Sequence, residues 1–117
     1  MSKTLKEASD DVFMPRLPRR VRVGARWYTI SRVVRIDGAD AWGMTSSPTN
    51  TIQLRDDVDL DHTPEILLHE IIHAITIDRD LEKVNDEHFI CSLTAGLTAV
   101  LQDLGWLPTR LKLADDP

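Results

Sequence analysis

The sequence predicts an α+β domain in which a small twisted sheet, antiparallel or mixed, packs on two helices. Three observations predict it. Residues 20–36 alternate in polarity with the period of two of a strand. Residues 63–79 and 85–104 are apolar runs bounded by helix start and stop residues. A chain of 117 residues, 42% hydrophobic, supplies one core.

Taken in order, residues 1–19 show neither period and contain Pro15 and Pro18, so they are expected as a flexible or loosely docked arm. The domain proper is expected over 20–107, followed by a mobile tail over 108–117. Residues 20–36, RVRVGARWYTISRVVRI, read as a β-hairpin or meander turning at Gly24-Ala25, with Val21, Val23, Trp27, Thr29 and Val33 on one face. Residues 37–50 hold Gly38, Gly43, Ser46, Ser47 and Pro48 and are expected as loop. Residues 51–54, TIQL, form a short strand, expected at the sheet edge where an extended peptide can add as a further strand. The acids Asp56, Asp57, Asp59 and Asp61 end it.

The first helix starts at an N-cap Thr63, with Pro64 at its first position and Glu65 placing negative charge where the helix dipole favours it. It runs to about Arg79. The second is capped by Asn85 and runs to Leu104, with Gly105 as its stop and Pro108 beyond.

Composition excludes several classes. The lone Cys91 cannot form an internal disulfide, so the fold rests on burial, with a metal as the available staple, and the cytoplasm is the expected compartment. No run reaches the roughly 18 apolar residues of a membrane span, and MSKTLKEASDD is charged where a signal peptide is apolar. The net charge of −5 divides into +6 through Arg35 (9 Lys or Arg against 3 acids) and −11 from Ile36 onward (5 against 16). The basic part, with Arg16, Arg19, Arg20 and Arg22, is read as a solvated tail and strand face; contact with nucleic acid is the competing reading. The acidic whole opposes tight nonspecific DNA binding.

Chemistry concentrates in the first helix, in His69-Glu70-Ile71-Ile72-His73. Histidines at i and i+4 lie on one helix face about 6 Å apart along the axis, so both imidazoles reach one ion, and Zn²⁺ suits them. Glu70 projects about 100° round the helix, where it can take a proton from a water beside the ion. Between residues 66 and 77 only His69, Glu70, His73 and Thr76 are not aliphatic. A helix apolar nearly all round is buried, and burying two imidazoles and a carboxylate calls for compensation, which a metal supplies; hydrogen bonds among the three are the alternative.

A catalytic zinc takes three protein ligands. Residue 79 is Arg79, so no third histidine follows six positions after His73, and the candidates are Asp86, Glu87 and His88. With Glu87 at 0° and 100° per residue, the apolar residues of the second helix centre near 270°. Glu87 lies at the edge of that face, in line with the small residues Cys91, Thr94 and Thr98, and is the favoured ligand. Asp86 faces inward but is short and suited to the helix start; His88 points to solvent.

Cys91 reads as a packing residue and His62 as exposed. Trp27, Trp42 and Trp106 read as core or lid, with Trp42 also placed to line a cleft. Gly96 reads as a site of close helix contact. Tyr28, the only phenol, reads as structural, which leaves no oxyanion donor to name.

The segments LLHEIIHAI and NDEHFICSLTAGLTAVLQDLGW resemble the small HExxH zinc metallopeptidases of phages and bacteria related to the ImmA/IrrE group. The resemblance covers residues 51–106. It implies a minimal zincin-like fold, a cytoplasmic zinc-dependent protease with His69, His73 and Glu87 as metal ligands and Glu70 as catalytic base, and a protein or peptide substrate. Some members of that group act on repressor proteins in phage or mobile-element regulation. This chain departs from the commoner pattern in lacking an obvious helix-turn-helix segment, and its glutamate region reads DEH in place of ExxA. So short a chain leaves little for a specificity subsite, which makes an activating partner protein part of the expectation. The alternatives are a noncatalytic zinc-binding regulatory module, with His88 as a fourth ligand, and a nucleic-acid-associated module using the basic arm.

Overall fold

The computed structural model describes residues 15–36 and 41–112. β1 (Arg20–Val23) turns at Gly24 and Ala25 into β2 (Arg26–Val33). β3 (Gly43–Ser46) and β4 (Thr51–Arg55) follow, then α1 (Thr63–Asp78), one 3-10 turn (Glu82–Val84) and α2 (Glu87–Asp103). The fold is α+β with a mixed sheet in the order β1-β2-β4-β3: β2 and β4 run parallel, and the two outer pairs are antiparallel. No helix among the described residues is long and apolar enough to cross a membrane.

Two sequence expectations about the sheet are corrected. Residues 43–46 form the edge strand β3 where loop was expected, and β4 lies inside the sheet. The cause is the turn at 47–50, where Asn50 adopts φ 49° and donates its N–H to Ser47 O at 3.2 Å, folding β3 straight back onto β4. The second correction is the inward face of β2, which carries Tyr28 and Ile30, while Trp27 and Thr29 are exposed. A two-residue turn pairs Val23 with Arg26 and Val21 with Tyr28, so odd positions in β1 share a face with even positions in β2. Gly24 holds φ 61° at this turn, and a Cβ there would collide with the Asp78 carboxylate at the end of α1.

The core lies between the sheet and α1: Tyr28, Ile30, Ile52 and Leu54 from the strands meet Ile66, Leu67 and Ala74. α2 packs on the other side of α1, which explains why α1 has almost no wet face. The chain ends join this core. Leu17 and Leu111, assigned by sequence to arm and tail, are buried in it, and Leu17 N–H donates to Lys112 O at 2.7 Å while Lys112 N–H donates to Pro15 O at 2.9 Å. The rest of the arm and tail, residues 1–14 and 113–117, lies outside the described residues.

Both helix starts shift by one residue from expectation. His62 is the N-cap of α1 with no side-chain cap bond, while Thr63, inside the helix and buried, donates its hydroxyl to Asp59 O at 3.0 Å. Asp86 caps α2, its carboxylate accepting from Phe89 N–H at 3.3 Å. Gly105 at φ 76° stops α2 as expected: its N–H donates to Gln102 O and Trp106 N–H to Leu101 O, at 3.0 and 2.9 Å.

Candidate metal centre

α1 places His69 and His73 one turn apart on the side facing α2, with their ring nitrogens turned towards each other. Nε2 to Nε2 is 3.1 Å, and the ring planes meet at 67°. From the first turn of α2, Glu87 reaches across to both: Oε1 is 2.6 Å from His73 Nε2, and Oε2 is 3.4 Å from His69 Nε2. Glu87 is thus the one of the three third-ligand candidates that is brought to the histidines. Asp86 is occupied as the cap of α2. His88 is exposed and does not line the cleft described below.

The three donors fit a small tetrahedral cation. Ligands about 2.0–2.1 Å from a tetrahedral zinc stand about 3.3 Å apart; here the two nitrogens are 3.1 Å apart, and Glu87 offers one oxygen 2.6 Å from His73 and the other 3.4 Å from His69. A second set, His69, Glu87 and Cys91, has its donor atoms spread over as much as 4.8 Å. Cys91, expected as packing, is exposed at the edge of the site, its thiol 3.7 Å from Glu87 Oε2 and 4.0 Å from His69 Nδ1. Desolvation and then the Glu87 carboxylate push that thiol above its ordinary range, so at neutral pH it is a protonated donor.

Hydrogen bonding sharpens the donor set. Asn85 Oδ1 lies 2.7 Å from His73 Nδ1 and can only accept, so His73 carries its proton on Nδ1 and turns Nε2 to Glu87. A ring nitrogen 2.6 Å from a carboxylate oxygen needs a cation between them, either a second proton or a metal. Asn85 also lies 3.0 Å from Thr76 Oγ1, which fixes the link to α1. Burial works to raise the Glu87 carboxyl, but the charge of His69 and the hydrogen bond and charge of His73 outweigh it, holding Glu87 below the usual carboxylate range.

Glu70 occupies the other side of the helix face, buried against β3. Thr45 Oγ1 is 2.8 Å from its Oε1 and 2.9 Å from its backbone carbonyl, while Oε2 is 4.0 Å from His69 Nε2. Gly43, two residues earlier on the same strand face, makes room: a Cβ there would lie 3.0 Å from Glu70 Cγ and 3.1 Å from Oε2. Burial raises the Glu70 carboxyl above its ordinary range; the Thr45 bond and the histidines oppose this, and the charge of Glu87 adds to it.

These groups form the floor of a cleft of about 690 Å³ whose walls include Trp42, Met44, Ile66 and Ile77, with His62 and Glu65 at its mouth. His62 is exposed, as expected, and pairs with Glu65 at 3.3 Å. None of the three tryptophans is in the core. Trp42 lines the cleft with the Arg55 guanidinium 4.9 Å over its ring, Trp27 stacks under Arg20 on the outer sheet face, and Trp106 is exposed beyond α2. Tyr28 is fully buried, and its hydroxyl has no hydrogen-bond partner among the described residues, in keeping with the structural reading. Sequence reasoning missed Asn85 as a support of His73, having assigned it to the helix cap. It also missed Thr45 and Gly43, which lie more than 20 residues from Glu70 and carry no local signal.

Compared with known proteins, the chain has no matching family model and no significant match among curated proteins or solved structures.

Proposed function

We propose that this chain is a zinc-dependent peptidase of minimal zincin type, in keeping with its resemblance to the ImmA/IrrE-related metallopeptidases. The observation that carries the reading is the convergence of His69 Nε2, His73 Nε2 and the Glu87 carboxylate within 3.4 Å of one another, beside the buried carboxylate of Glu70. His69, His73 and Glu87 would hold the ion. Bound zinc would supply Lewis acidity to a substrate carbonyl and to the attacking water.

The remaining work falls to the chain. Thr45 anchors Glu70 through Oε1 and leaves Oε2 turned to the histidines, so the free oxygen can take a proton from water and return it to the leaving amine. Burial keeps that carboxylate poorly hydrated and hence more basic. Asn85 holds His73 in the tautomer that presents Nε2. β3 replaces β4 as the edge on which an extended peptide adds as a strand: it pairs with β4 on one side and contributes Gly43, Met44 and Thr45 to the cleft wall. Trp42, Ile66 and Ile77 offer an apolar subsite beside it.

The test is zinc content by elemental analysis together with cleavage of a randomised peptide library by wild type and Glu70→Gln. One zinc per chain, lost in His69→Ala, and cleavage abolished by Glu70→Gln are the expected results. Full zinc binding by the His69→Ala/His73→Ala double variant refutes the site. Cleavage persisting in Glu70→Gln refutes the base. Zinc bound with no cleavage of any library member or candidate protein refutes the peptidase and leaves a zinc-binding module.

A further inference from the structure

α2 buries very little of its apolar surface. Only Ile90 and Thr94 are buried, along the line that meets α1. About 100° round the helix, Phe89, Leu93, Val100 and Leu104 form a second stripe, continued past the helix end by Trp106; these five are between 39 and 76% exposed. Gly96 sits in the middle of the stripe, and a Cβ added there would meet nothing within 4 Å, so its expected helix contact is not made within the chain. From Phe89 to Gln102 the helix carries no charged residue, in a chain of net charge −5.

We propose that the protein forms a two-fold symmetric dimer through this face of α2. Three observations select a second copy as the occupant. The first is area. Taking about 150–250 Å² for a large apolar side chain, the five residues leave on the order of 500 Å² uncovered. A homodimer interface of about 800 Å² per subunit, about 65% apolar, needs about 520 Å², which the stripe supplies, and patches of this size are often functional.

The second is internal symmetry. The stripe is symmetric about the point between Gly96 and Leu97, so an antiparallel copy sets Phe89 against Leu104 and Leu93 against Val100, with Gly96 and Leu97 on the two flanks of the crossing point. The missing side chain of Gly96 beside the crossing point lets the two backbones approach. The third is charge. An uncharged stripe lets two acidic chains meet without repulsion.

The inference is independent of the metal reading, since none of the stripe residues is a proposed ligand. Sedimentation equilibrium of the full chain, at micromolar to hundred-micromolar concentration, with and without zinc, tests it. The expected result is a mass of two chains for wild type. Val100→Glu should weaken association by about 100-fold or more, because it faces Leu93 of the second copy while standing in water in the monomer. Gly96→Gln should do the same by placing a long side chain between the two approaching backbones. Because it removes a helical glycine, it strengthens the isolated helix and cannot fail through misfolding. A monomeric wild type across the range overturns the proposal. So does a dimer that survives both substitutions, or one lost when residues 1–14 are deleted.

Discussion

Asn85→Ala tests whether the fold builds a metal site or merely gathers polar side chains. The substitution removes the acceptor 2.7 Å from His73 Nδ1 and frees the imidazole to rotate and to exchange tautomers. Loss of such a supporting bond weakens metal affinity about 10–100-fold, or about 1.4–2.8 kcal/mol at 1.4 kcal/mol per tenfold. Asn85 is exposed, so water replaces part of what is lost and the effect should fall near the lower bound, about 10–30-fold. Fold stability should drop by about 1 kcal/mol through the lost contacts to His73 and Thr76. The measurement is therefore a zinc competition titration against a chromogenic chelator at 25 °C, with folding checked by circular dichroism. Asn85→Asp, which keeps an acceptor and adds charge, should retain wild-type affinity within a few-fold. Zinc affinity unchanged in Asn85→Ala while His73→Ala loses it would refute the reasoning. Affinity falling as far as in His73→Ala would make Asn85 itself a ligand.

Glu70→Gln should stabilise the metal-free protein at neutral pH, because it removes a carboxylate whose charged form is disfavoured by burial. The wild-type carboxyl titrates higher folded than unfolded. Its contribution to stability is therefore complete below the ordinary glutamate range and lost as pH rises through the folded value; urea melts in EDTA should show the variant's advantage growing with pH and vanishing near pH 4. Gly43→Val places a branched side chain against Glu70 Cγ and Oε2 and should cost about 1–3 kcal/mol in a urea melt; an unchanged midpoint would mean that β3 does not hold the glutamate. Chelation should lower the melting temperature of wild type, since an ion at 100 times its dissociation constant contributes about 2.7 kcal/mol, and should leave that of His69→Ala unmoved.

Much of this was legible in the residues. The i, i+4 histidines with an intervening glutamate stand out on a helix apolar on nearly every side, and helical arithmetic placed Glu87 on the edge of α2 that comes to lie beside them, because side-chain direction on a helix is a local property. The hairpin at Gly24 was legible too, but its inward face was not, because parity across a turn depends on how the strands pair. The same arithmetic put the buried face of α2 on the centre of its apolar residues, whereas α1 covers the line through Ile90 and Thr94 and leaves that centre exposed. Composition indicates which surfaces are sticky; packing decides which of them the chain itself covers.

By itself the sequence determined the class of the fold, the two helices with their stops, the histidine pair and its glutamate neighbour. All of these follow from periodicity and capping over a few consecutive residues. Only the tertiary structure decided that residues 43–46 form the strand beside the cleft, that Thr45 and Gly43 seat Glu70, that Asn85 serves His73 in place of the helix cap, and that Leu17 and Leu111 close the core. Each joins positions distant in sequence or assigns one side chain between competing partners. Burial and hydrogen-bond geometry settle such choices only once the whole chain is in place.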